Sequence, residues 1–227
     1  MIAVVPEPPL LVPELATGAT AETEPLRSAA RAAAGALAAA AQEWTVVGAD
    51  AGGRRSVGPA TRGSFVGFGA DVVVGMSRDA DGDVDPALPL PLLVAAWLGA
   101  VHGVTLRGEL VAPDAAPRDC VELGTELGRR DGGLLVVGDG SAKHTERAPG
   151  HLDERSAAFD DQVAAALAAA DVDALAGLDA DLAAELWASG RAPWQVLAGA
   201  AGGGWQGELL YSGAPFGVGY HVAVWRR

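Results

Sequence analysis

At 227 residues, half of them hydrophobic and a fifth charged, the chain has the balance of a folded protein and the length for one domain, residues 1–227, around a sizeable core. A net charge of −13 excludes the clustered Lys and Arg that phosphate neutralisation needs, so no nucleic-acid partner is expected, and it disfavours anionic membranes. One cysteine, Cys120, excludes an internal disulfide and a thiolate cluster for zinc.

Short apolar runs that end in Gly, Asp or Pro alternate with helical stretches along the chain. Residues 2–5, 45–48, 71–75, 103–106, 134–138, 207–211 and 220–225 read as strands, several of them apolar on both faces, as strands buried between helical layers are. The first long helix is predicted over residues 24–43, with Thr23 as its cap and Pro25 in its first turn. Further helices are predicted over 91–101, 121–130 and 153–170, and shorter ones within 171–187 and over 193–200. In the fourth, Phe159, Val163 and Leu167 stack at i, i+4, i+8. This alternation implies an α/β fold, a single-domain three-layer α/β/α sandwich with a mostly parallel or mixed central sheet and an antiparallel edge.

Residues 52–63, rich in Gly, Arg, Ser and Pro, and residues 78–89, with alternating acids, read as long loops. The run from Asp79 to Asp85 resembles a calcium loop only superficially, because its Gly is misplaced and Leu90 stands where a Glu is needed. The apolar stretch 88–101 is too short to span a bilayer, and the opening residues lack a basic region followed by a long apolar run. No membrane association is expected, and the chain reads as cytoplasmic.

Ligand sites in open α/β sheets form beyond the carboxyl ends of the strands. Three such places carry acids: Glu7, Asp50 and Asp139. Brought together they would suit a hard divalent cation; apart, they are turn formers and caps. The run Gly138-Asp139-Gly140-Ser141-Ala142-Lys143-His144-Thr145 adds a hydroxyl, an amine and an imidazole, so that Ser141 with Lys143 or His144 can be read as a nucleophile and its base. It has neither a nucleophile elbow nor a phosphate loop. The candidate pocket is therefore Glu7, Asp50, Asp139, Ser141 and His144. His102, His151 and His221 are read as helix-end, loop and strand residues, and Cys120 as an incidental thiol.

Two runs frame the chain: Pro6-Glu7-Pro8-Pro9-Leu10 near its start and Tyr211-Ser212-Gly213-Ala214-Pro215-Phe216-Gly217-Val218-Gly219-Tyr220 near its end. Together with Asp50-Ala51-Gly52 and Gly138-Asp139-Gly140-Ser141-Ala142, followed by Pro149 and Phe159-Asp160, they resemble the catalytic subunits of class III extradiol ring-cleavage dioxygenases (the LigB type) and the related Memo-like proteins. The resemblance implies an α/β/α fold and, in active relatives, ferrous iron held by two histidines and an acid, with a further histidine as acid or base. It places Glu7 and Ala51 at the histidine ligands, Ala200 or Ala201 at the acidic ligand and Ala142 at the internal histidine. A methyl group has no lone pair. The expectation is a LigB-like protein without the family's metal ligands, a pseudoenzyme or a protein that binds a small aromatic or other small molecule, with no cofactor. The alternative is a metal-dependent enzyme, a ring-cleavage dioxygenase or hydrolase, with a rebuilt acidic site around Fe²⁺, Mn²⁺ or Mg²⁺. Some relatives pair with a second chain, so a partner subunit or homo-oligomer is a further expectation.

Overall fold

The computed structural model describes residues 1–16, 18 and 20–227. A seven-stranded mixed sheet runs in the order β3-β7-β2-β8-β1-β10-β9, formed by β1 (Ile2–Val5), β2 (Glu43–Ala49), β3 (Arg55–Val57), β7 (Thr105–Val111), β8 (Gly133–Val137), β9 (Gln206–Gly213) and β10 (Tyr220–Arg226). The four central strands β7, β2, β8 and β1 are mutually parallel, whereas β3 closes one edge and the β10–β9 hairpin the other in antiparallel fashion. Val-rich strands such as Ile2–Val5 and Gly133–Val137 are buried at every position because helices cover both faces of the sheet.

One face carries α1 (Thr20–Ala40) and α2 (Leu90–Ala100), packed on Ala3, Val5, Val46, Leu135, Val137, Val222 and Val224. The other carries α3 (Pro117–Leu127), α4 (Arg155–Ala169), α5 (Val172–Ala176), α6 (Ala180–Glu185) and α7 (Arg191–Ala201), packed on Ile2, Val4, Val47, Leu134, Val136, Ala223 and Trp225. The alternation of these two lists along each strand is the period-2 pattern of a sheet with two apolar faces. The predicted α/β/α sandwich is thus the architecture observed.

Several boundaries shift, each for a physical reason. The first helix begins at Thr20, so Thr23 and Pro25 lie inside it, and the Thr23 hydroxyl accepts from the buried Arg27 guanidinium instead of capping. Arg27 also donates to the Leu10 and Leu11 carbonyls and so ties the Pro-rich turn after β1 onto the helix. The run at 71–75 contributes β5 (Val73–Gly75) to a separate three-stranded sheet, with β4 (Arg62–Ser64) and β6 (Val84–Asp85). The two predicted loops therefore carry short strands, which have too few residues to show a hydrophobic period. The strand predicted at 103–106 extends to Val111 because Gly108 and Glu109 still pair with β2 and β3.

Helices α3 and α7 approach until their backbones touch: a Cβ on Gly124 would lie 2.0 Å from the Val196 carbonyl, and one on Gly199 would lie 2.1 Å from that of Val121. Gly124→Ala is therefore expected to lower stability by about 2 kcal/mol, outweighing the ~1 kcal/mol that Ala gains over Gly inside a helix. Urea denaturation measures it, and a neutral or stabilised variant would refute this close packing.

Candidate functional site

The outgoing chain leaves β1 toward α1 on one face and leaves the adjacent β8 toward α4 on the other. Such a divergence opens the crevice in which α/β proteins place ligands. Glu7 follows β1 and Asp139 follows β8, so the fold delivers two carboxyl groups to this one point. The Glu7 amide donates to Asp139 Oδ1 (2.7 Å), and the Asp139 amide donates to Ser189 Oγ (3.0 Å). The Ser189 hydroxyl donates to Glu7 Oε1 (2.7 Å), which closes the ring of bonds. The Gly190 amide, at the start of α7, donates to the Asp139 carbonyl (2.8 Å).

Glu7 is only 8% exposed, and its Oε2 is buried without a hydrogen-bond partner. Burial pushes its carboxyl up to about 7, against the smaller opposing effect of the Ser189 hydrogen bond. Asp139 is raised as well, by burial first and then by the negative charge of Glu7, with the Glu7 amide pulling the other way and Asp160 adding repulsion. Burial raises both carboxyls, and the Glu7 charge raises Asp139 further, so the site takes up a proton over a pH range in which isolated carboxyls are ionised. Tyr220, at the start of β10, has its phenol raised by burial and then by the Asp139 charge.

A second polar cluster adjoins the first. Asp160 projects from the buried arc of α4, and its carboxylate accepts from the Ser141 amide (3.2 Å to each oxygen). His144 Nε2 meets Asp160 Oδ2, and His221 Nε2 lies 3.3 Å from Oδ1. With Nε2 protonated on His221, its Nδ1 accepts from the Ser212 hydroxyl at 3.1 Å. The Trp194 ring packs edge-on against His221, with centroids 6.0 Å apart. Two glycines make room for the shared carboxylate: a Cβ on Gly140 would lie 2.2 Å from Asp160 and one on Gly219 2.0 Å from it. The Gly-rich character of both motifs thus has a steric cause.

Of the five sequence candidates, the structure joins Glu7 to Asp139 and sets Ser141 and His144 on Asp160 beside them. Asp50 is elsewhere. It sits in its own turn at the end of β2, where its Oδ2 accepts from Gly52 (3.1 Å) and lies 3.6 Å from Arg55. The pairing of Ser141 with Lys143 or His144 as nucleophile and base is not formed: Ser141 is fully buried, with its hydroxyl bonded to Ser156 (2.8 Å) and Leu186 (3.3 Å) and accepting from the Lys143 amide. Its neighbours explain this, because the loop folds inward and needs the hydroxyl to satisfy buried backbone. Ser189 escaped the sequence reading, Asp160 entered it only through the Phe159-Asp160 motif of the resemblance, and His221 only as a strand residue. Asp160 offered a signal, being a charged residue on the same helical arc as Phe159 and Val163, whereas Ser189 offered none.

The positions that the resemblance equates with iron ligands do not converge. Ala51 is exposed in the turn after β2, and Ala200 lies at the far end of the sheet beside Met1, Ile2, Gly132 and Gly133. Among the described residues no group of three or more His, Cys, Asp or Glu is placed to hold a metal ion. Glu7 Oε2 is one open donor; Asp139 and His144 are committed to other partners. The residues present do not fit a ferrous centre of the dioxygenase type.

No family model matches the chain, and no curated protein matches it. Among solved structures, the crystal structure of uncharacterized protein JW3007 from Escherichia coli K12 is similar over 100% of this chain and 99% of that one, with a TM-score of 0.52 and 13% sequence identity. At that identity the likeness shows the fold alone. No helix among the described residues is long and apolar enough to cross a membrane.

The raised Glu7 carboxyl has a signed consequence for stability. Between the ordinary carboxylate value and about 7, the folded chain keeps a proton that the unfolded chain releases, so stability falls as pH rises through that window and levels off above it. A rise from 4.5 to about 7 corresponds to roughly 3 kcal/mol at most. Glu7→Gln, which keeps an oxygen acceptor for Ser189 but cannot ionise, is expected to flatten the loss between pH 5 and 7 in urea titrations. An unchanged pH profile would show that Glu7 titrates normally.

Proposed function

We propose that this chain is a divergent LigB-like protein that has given up iron-dependent ring cleavage and uses the strand-end crevice as a metal-independent small-molecule site. One observation carries the reading: at the point where β1 and β8 diverge, the Glu7 amide donates to the Asp139 carboxylate, and Ser189 accepts from the Asp139 amide while donating to the Glu7 carboxyl, whose Oε2 is buried without a partner. A metal site of the family type needs several unengaged donors aimed at one point. The Glu7 carboxyl, raised by burial to about 7 and with Oε2 free of a protein partner, instead offers a ligand a hydroxyl donor when protonated and an acceptor when ionised. The Asp160 cluster next to it fixes His144 and His221 in orientation.

The rebuilt metal site made from Glu7, Asp50, Asp139 and His144 is less well supported, because Asp50 is engaged with Gly52 and Arg55 and His144 is turned onto Asp160. Elemental analysis of the purified chain, followed by anaerobic calorimetry with Fe²⁺ and by exposure to simple catechols under O₂, separates the readings. The expected outcome is far less than one iron per chain, no saturable Fe²⁺ binding and no yellow ring-opened product. Stoichiometric iron with ring opening would overturn the proposal.

A further inference from the structure

On β10, His221, Ala223 and Trp225 turn toward α4 and α7, and His221 is the one ionisable side chain of the three. It is 1% exposed and held between two partners. Its Nε2 lies 3.3 Å from Asp160 Oδ1, and its Nδ1 accepts from the Ser212 hydroxyl at 3.1 Å. Ser212 and His221 are Cα partners across the β9–β10 hairpin, so strand register, not a loop, holds them together. Unlike its two partners, Ser212 is exposed. A hydroxyl, an imidazole and a carboxylate therefore follow one another from solvent inward, at the spacing of a nucleophile, its base and the group that orients the base.

Two features exceed what a cross-strand hydrogen bond needs. A backbone carbonyl would satisfy the buried Nε2–H at less cost than a desolvated carboxylate, whereas a carboxylate also favours the protonated ring that a general base becomes. Asp160 is itself fixed for this, by the Ser141 amide and by His144. The second feature is the turn that follows Ser212. It uses the Gly217 amide internally, on the Ala214 carbonyl (3.1 Å), while among the described residues the amides of Ala214, Phe216 and Val218 meet no protein acceptor. Unengaged N–H groups close in sequence to a nucleophile are the donors that a developing oxyanion requires.

We propose that Ser212 and His221, positioned by Asp160, hydrolyse carboxylic esters with short acyl chains. The Ser212 Oγ forms a bond to the ester carbonyl carbon as its proton passes to His221 Nδ1, and the carbonyl π pair moves onto oxygen. Collapse of that adduct breaks the bond to the alcohol oxygen, which leaves with the proton from His221. Water, giving a proton to His221, then attacks the acyl-serine; the acid departs and Ser212 regains its proton. Ester and water become acid and alcohol, so water is the one co-reactant. The exposed Pro215 and the half-buried Ala214 and Phe216 beside Ser212 offer shallow apolar ground, which suits a short acyl chain. The assignment goes beyond the function proposed above and is separate from it, since it uses neither Glu7 nor Asp139.

The test is release of p-nitrophenol from p-nitrophenyl acetate by the full chain, with acid-quenched samples digested and searched by mass spectrometry for the acetylated peptide. Saturable hydrolysis is expected, with the acetyl group on Ser212. Ser212→Ala, a change at an exposed position, is expected to keep the native circular dichroism and to lower the rate by about a hundredfold. Asp160→Asn is expected to lower kcat by about a hundredfold with KM little changed, which a merely structural role would not produce. The Ser212 variant decides the matter even where Asp160→Asn lowers stability. Hydrolysis no faster than free imidazole provides, acetyl groups on Lys or His side chains alone, or an unaltered rate in Ser212→Ala would each overturn the proposal.

Discussion

The structure turns on a ring of three hydrogen bonds that joins Glu7, Asp139 and Ser189 where two neighbouring parallel strands part company. Each bond spans a long stretch of sequence: residue 7 meets residue 139, and residue 189 meets both. The clasp therefore holds the ends of β1 and β8 to the start of α7. Because these groups are buried together inside the protein, the two carboxyls lose the water that would keep them ionised. The same geometry that closes the fold at this point raises the acids' affinity for protons.

Around the clasp, glycine replaces side chains wherever a polar group must come close. Gly140 and Gly219 admit the Asp160 carboxylate, which gathers His144, His221 and the Ser141 amide around one charge. The conformational entropy lost at such glycines is offset by a polar cluster with few unpaired atoms; among the described residues only Glu7 Oε2 and Trp194 Nε1 are buried side-chain N or O atoms without a partner. That one of these two atoms belongs to the clasp sets it apart from ordinary structural polar groups.

The fold class was legible because its signals are local and repeated. Runs such as Ile2–Val5 and Gly133–Val137 are apolar at every position, and the α4 stripe of Phe159, Val163 and Leu167 keeps helical period. The short strands β3, β4 and β6 were not legible, since two or three residues cannot show a period, whereas β5 lies within the run 71–75 read as a strand. At the site, Glu7 and Asp139 could be picked out by their place after strands. Asp50 occupies an equivalent place, yet it serves its own turn, and sequence position alone does not distinguish the two outcomes. Ser189 lies in a stretch between two helices with nothing to mark it, and only the tertiary path of α7 brings it to Glu7.

The central claim is that Glu7 keeps a proton where the family resemblance would place a metal ligand. The most direct measurement is a pH titration of the side-chain carboxyl carbon of Glu7 by ¹³C NMR in the selectively labelled chain, with the resonance assigned through Glu7→Gln. The account predicts a midpoint near 7 that stays in place when a chelator is added. A midpoint in the ordinary carboxylate range near 4.5, or one that moves there once metal is stripped away, would contradict it.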